Sequence, residues 1–180
     1  QRMCDAPPEL RRRFQPVFQD AGAALDPRMS IRSLLVEPFV IHRQDSDDAK
    51  LTALLHQVQL VADLLSLLPR ELSVGQRQRV NIARALALEP ELLLLDEPVS
   101  ALDLSVQAQV LNVLATLTAR RSLTLLLIAH DLEVVAHLCT QVAVMYGGRI
   151  VEGGPTAAVL EGPRHPYTRL LIESQRRLVE

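Results

Sequence analysis

The chain has 180 residues, 48% of them hydrophobic, with 19 basic and 21 acidic residues giving a formal net charge of -2. That length and apolar content suit one folded unit with its own core and exclude a disordered or fibrous chain, while the near-neutral, evenly spread charge leaves no basic face for a nucleic-acid backbone. Two cysteines, Cys4 and Cys139, are too few and too distant for a disulfide framework or a metal site, which fits a reducing compartment, and no run reaches the ~18 apolar residues of a membrane span, so any membrane role runs through a partner.

Taken in chain order, Arg11, Arg12 and Arg13 read as a solvated face or a strand edge. Residues 31–87 are dominated by Leu, Ala and Gln at helical spacing and predict a helical insert without strands, interrupted near Pro69. Its acidic stretch, residues 45–48, reads as a solvated loop. Residues 92–95 are an unbroken apolar run ending at Asp96 and Glu97, the pattern of a strand buried on both faces of a parallel sheet. Val106, Val110, Val113, Leu114 and Leu117 recur at spacings of three and four, which predicts an amphipathic helix over residues 104–120. A second buried strand over residues 123–129, ending at His130, completes a strand-helix-strand unit.

Farther on, the pattern predicts a short helix over residues 132–138, a strand over 141–145, a tight turn at Gly147 and Gly148, and a strand over 149–152. The sheet is expected to continue to about residue 152. Pro155 and Pro163 punctuate a tail with small helices over residues 156–160 and 167–177.

Two segments carry chemistry. The strand over residues 92–95 delivers two consecutive carboxylates, Asp96 and Glu97, to its C-terminal end, the edge of an open parallel sheet where ligands bind. A carboxylate there can hold Mg²⁺ directly or through water, and its neighbour can orient or deprotonate an attacking water. The plain alternative is that the pair only opens a loop. Upstream, Leu72-Ser73-Val74-Gly75-Gln76-Arg77-Gln78-Arg79 leads into a helix. Its first N–H groups and dipole suit a phosphate, but Ser73 as an ordinary N-cap accounts for the same pattern.

Together these segments resemble the ATP-binding-cassette (ABC) family: residues 72–79 resemble its signature and residues 92–98 its Walker B strand. Val17-Phe18-Gln19-Asp20 resembles the Q-loop, Ser100-Ala101-Leu102-Asp103 the D-loop, and Ile128-Ala129-His130-Asp131 the H-loop, all in the family's order. The resemblance implies an α/β fold, a partial P-loop NTPase (RecA-like) parallel sheet with an inserted helical subdomain. It divides the chain into residues 1–30 with the Q-loop, a helical subdomain over 31–87 ending in the signature, a RecA-like core over 88–154, and a tail over 155–180.

The resemblance also implies ATP and Mg²⁺ as cofactors. Gln19 would sense Mg²⁺ and the attacking water, Asp96 would contact Mg²⁺, Glu97 would be the general base, and His130, otherwise read as a buried structural histidine, would contact the γ-phosphate. Ser73, Gly75 and Gln76 would meet nucleotide held by a second cassette subunit, and Asp103 would reach across that interface. The subfamily follows from Leu25-Asp26-Pro27-Arg28-Met29, Glu37-Pro38, the residues from Leu104 to Asn112, and the tail His165-Pro166-Tyr167-Thr168-Arg169-Leu170-Leu171. These are similar to importers of dipeptides, oligopeptides and nickel. Implied partners are transmembrane permease subunits and a second cassette, same or different, with no nucleic acid and no membrane span of the chain itself. The implied location is peripheral, on the cytoplasmic side of the bacterial inner membrane.

Two departures stand out. No G-x-x-x-x-G-K-[ST] loop is present, since the single lysine, Lys50, follows Ala49 in the helical region; the chain reads as truncated at its N-terminus. Val74 stands where the family signature has glycine, and a β-branched residue resists positive φ. The rival reading is a non-hydrolytic cassette remnant that lends a signature surface to an intact partner. A cassette of DNA repair or translation is a third, disfavoured by the tail and the charge balance.

Overall fold

The computed structural model describes residues 7–19, 21–120 and 123–176; Cys4, Asp20 and Arg177 lie outside them. The chain forms two compact units, residues 1–128 and 129–180.

The first unit opens with helix α1 (Pro8–Arg13) and strand β1 (Phe14–Val17), followed by α2 (Ala21–Ala24), α3 (Ile31–Ile41) and α4 (Asp48–Gln57). Two 3-10 turns, Ala62–Ser66 and Pro69–Glu71, lead to α5 (Val74–Leu86), β2 (Leu92–Asp96), α6 (Leu104–Arg120) and β3 (Thr124–Ile128). The arginine run thus closes α1, and Arg13 forks onto Glu91 at 2.8 and 2.6 Å; both groups are exposed, so the pair contributes little to stability. The acidic stretch is more than a loop. Asp47 caps α4 by accepting from the Lys50 N–H at 2.8 Å, and Asp48 pairs with Arg32 on α3.

The strands lie in the order β1-β2-β3, all parallel, with Val17 beside Leu95 and Asp96 beside Ile128. β1 has no apolar alternation of its own and contains Pro16, which an edge strand tolerates because the missing N–H costs a ladder bond only in the sheet interior. On one sheet face Val17, Leu93 and Leu95 are fully buried. On the other, Leu126 and Ile128 remain 54% and 50% exposed. The core of this unit continues into α6, through Val110, Val113, Leu114 and Leu117, and into α5, through Val80, Ile82, Ala83 and Leu86. α5 touches α2, α3, α4, α6 and β1, so it is the pillar on which the helical segment stands. Its Arg84 pairs with Glu37 on α3 and donates to the Ala24 carbonyl at 3.1 Å.

The second unit holds α7 (Leu132–Leu138), β4 (Gln141–Tyr146), β5 (Arg149–Pro155), α8 (Thr156–Glu161) and α9 (Pro166–Arg176). The expectation that the main sheet continues to residue 152 is corrected. β4 and β5 pair antiparallel with each other as a separate two-stranded sheet, joined through Gly147 and Gly148 at φ +56° and +77°. That left-handed pair is the two-residue hairpin turn whose twist matches antiparallel strands. A hairpin satisfies its ladder internally, so sequence pattern alone cannot say which sheet it joins.

Candidate functional site

In the first unit the parallel ladder sets the site. β1 and β2 run in register up to Val17 and Leu95, so Gln19 and Glu97, each two residues on, follow the same C-terminal sheet edge. Asp96 is exposed at the end of β2, while Glu97 is half-buried and donates its backbone N–H to the Ile128 carbonyl at 3.0 Å. Glu97 takes φ +46°, a left-handed conformation that costs a side-chain-bearing residue ~1–2 kcal/mol. The Gln19 side chain donates to the Ser100 hydroxyl at 2.9 Å, and that hydroxyl donates to the Glu97 carbonyl at 3.2 Å. Gln19 and the backbone of Glu97 are therefore linked through Ser100, a residue read from sequence only as part of the D-loop string.

The segment from Ser73 forms the N-terminus of α5. Ser73 Oγ accepts the Gln76 N–H at 3.2 Å and Gln76 Oε1 accepts the Ser73 N–H at 2.9 Å, a reciprocal capping box. The ordinary capping role of Ser73 is thus present in full, and the residue stays exposed. Val74 is the first helical residue, absent from the left-handed backbone positions, and half exposed; valine there carries none of the positive-φ strain that its sequence position suggested. Gly75 is buried, and a Cβ at its position would lie 2.2 Å from Val106 Cγ1 on α6. Close helix packing alone thus requires glycine there.

Asp103 precedes α6 and accepts from the Ser105 hydroxyl at 2.7 Å and the Val106 N–H at 3.0 Å. The Ser105 hydroxyl, then the Val106 N–H, hold its carboxyl below the usual range. A cavity of about 410 Å³ separates these elements, lined by Gln19, Val74, Arg77, Gln78, Pro98 and Leu102 among others. Gln78, 1% exposed, is a lining residue that sequence reading did not single out. Its place four residues after Val74, on the same side of the helix, was the available signal.

His130 belongs to the second unit, exposed, two residues before α7. Asp131 caps α7 by accepting the Glu133 N–H at 2.8 Å. The tail string is fastened to the hairpin: Glu152 on β5 accepts the backbone N–H groups of Arg164 at 2.8 Å and His165 at 3.0 Å. The Thr168 side chain, followed by those N–H groups, holds the Glu152 carboxyl below its usual range.

A family model described as ABC transporter matches residues 2–100. The chain belongs to this family. A second model, described as the C-terminal region of oligopeptide and dipeptide transporters, matches residues 151–180, the part of the second unit fastened by Glu152. Among curated relatives, the "Probable D,D-dipeptide transport ATP-binding protein" of Escherichia coli K12 is 47% identical over 167 residues, covering 91% of this chain and 54% of that protein. The glutathione import ATP-binding protein of Pectobacterium atrosepticum is 45% identical over 168 residues, covering 92% of this chain and 27% of that protein. The chain therefore spans about half or less of the length of these relatives. The α/β architecture, with its parallel sheet and helical segment, is that of a partial P-loop NTPase domain of the ABC type.

Proposed function

We infer that this ABC family chain carries the water-activating and signature half of an ATP-binding subunit that energises an importer of peptides or related small solutes. The observation that supports it most is the Gln19–Ser100–Glu97 linkage at the C-terminal edge of the parallel sheet, beside the exposed carboxylate of Asp96. The names of the relatives and the tail match point to peptides as the solute class.

The residues present fit Mg²⁺ bound chiefly through nucleotide oxygens and water. Among the described residues no three His, Cys, Asp or Glu side chains gather into a cage, and Mg²⁺ commonly rests on one or two carboxylates plus substrate phosphates. Asp96 is the carboxylate that would hold it. When bound, the ion would neutralise charge developing on the phosphates. Glu97, held in a left-handed backbone conformation at the sheet edge, would take the proton of the attacking water, and Gln19 would orient that water once released from Ser100. His130 would hydrogen-bond the terminal phosphate. Ser73, Gly75 and Gln76 would present the N-terminus of α5 to nucleotide on a second cassette, with Asp103 at the same interface. The phosphate-wrapping loop is not among the 180 residues, so hydrolysis would need that loop from another segment.

Residues 31–87 act as the helical subdomain in this reading, and the chain works peripherally on the cytoplasmic face of the inner membrane, bound to permease subunits. No helix among the described residues is long and apolar enough to cross a membrane. A mixing assay, in which the chain joined to a segment carrying a G-x-x-x-x-G-K-[ST] loop is combined with an intact cassette subunit and ATP turnover is followed, separates the two readings. The hydrolytic reading expects Glu97→Gln and His130→Ala to lower turnover. An effect of Ser73 variants alone would overturn it in favour of a non-hydrolytic remnant.

A further inference from the structure

Gln175, on the last turn of α9, grips the backbone on both sides of Asp131. Its Oε1 accepts the Leu132 N–H at 2.8 Å, and its Nε2 donates to the His130 carbonyl. One side-chain amide thus pairs with the main chain as a neighbouring strand would, using both its donor and its acceptor. The Leu132 N–H opens α7 and has no partner within that helix, so Gln175 supplies what the helix cannot.

The amide is held in place by the tail. Thr168, Ile172 and Gln175 are spaced four and three apart and form one stripe of α9. Thr168 is 1% exposed and Ile172 7%, so the stripe faces the interior of its unit and carries Gln175 inward. Just ahead of α9, Glu152 fastens Arg164 and His165. The tail helix is thus fastened just ahead of its start and buried along the stripe before it reaches the His130 segment.

We propose that Gln175 is a positioning residue for His130, so that the C-terminal tail sets the backbone from which that imidazole projects. The inference rests on the reading of His130 as a phosphate-contacting group for its functional meaning, but the clamp can be tested without nucleotide. Gln175→Leu keeps the size and removes both hydrogen bonds. Gln175→Glu keeps the acceptor for Leu132 and sets a carboxylate against the His130 carbonyl.

Amide hydrogen exchange and carbonyl ¹³C shifts, read by NMR on the full chain at pH 7, distinguish these effects. With Gln175→Leu, the Leu132 amide should exchange at least about tenfold faster, and the His130 carbonyl and ring resonances should move. With Gln175→Glu, Leu132 should keep its protection while the His130 resonances still move. The Arg164 and His165 amides, held by Glu152, should stay protected in both variants and report that the unit is folded. Unchanged Leu132 exchange and His130 shifts in both variants would overturn the proposal. If the clamp behaves as expected but His130→Ala leaves turnover in the mixing assay unchanged, the clamp stands and the phosphate-contact reading of His130 falls.

Discussion

The amide of Gln19 donates to the hydroxyl of Ser100 at 2.9 Å, although 81 positions separate them in sequence, and Ser100 passes the contact to the Glu97 carbonyl. The glutamine proposed to orient water beside Glu97 is therefore held on the loop that follows Glu97. Ser100→Ala should release it. The expected result is a shift of the Gln19 side-chain amide resonances and faster exchange there. Because the contact is exposed, the loss in unfolding free energy should not exceed about 1 kcal/mol. Ser100→Thr, which keeps the hydroxyl, should restore the parent spectrum.

Gly75 sits where any side chain would strike Val106, a stiff β-branched residue, on α6. Gly75→Ala should destabilise the chain by ~1–3 kcal/mol in denaturant unfolding, the usual cost of overpacking. Val106→Ala opens the space, so the Gly75→Ala cost should shrink in that background. Equal costs in both backgrounds would place the requirement for glycine elsewhere.

Much of this architecture is legible in sequence because apolar spacing is strong where an element packs on one side. The helix over residues 104–120 and the one over 132–138 match α6 and α7, and the Asp96–Glu97 strand matches β2. β1 was not legible: four residues including Pro16 give no periodic signal, and it becomes a strand only because β2 offers a ladder. The site shows the same division. Ser73 as an N-cap follows from local spacing, whereas the Ser100 link to Gln19 and the Gln175 grip on His130 join positions 81 and 45 apart, which no local pattern encodes.

The tail should respond to acid. Glu152 has its carboxyl held below the ordinary range by the Thr168 side chain and the Arg164 and His165 N–H groups, so its charged form is favoured in the folded unit. The stability it contributes is present above the unfolded carboxylate value of ~4.3 and is lost as pH falls through the lower folded value. Protection of the Arg164 and His165 amides should therefore fall only at pH below the ordinary carboxylate range. In Glu152→Gln that acid step should disappear, with lower protection at neutral pH. A step unchanged in Glu152→Gln would assign it to another carboxylate.

Magnesium-dependent ATP turnover tests the central reading most directly, measured on the 180-residue chain alone and on the same chain joined to a segment carrying a G-x-x-x-x-G-K-[ST] loop. No turnover is expected from the chain alone. Turnover is expected from the joined protein, lowered by Glu97→Gln by ~10²–10⁴-fold, the usual worth of a positioned general base. Turnover by the chain alone that Glu97→Gln abolishes, or turnover by the joined protein that Glu97→Gln leaves intact, would contradict it.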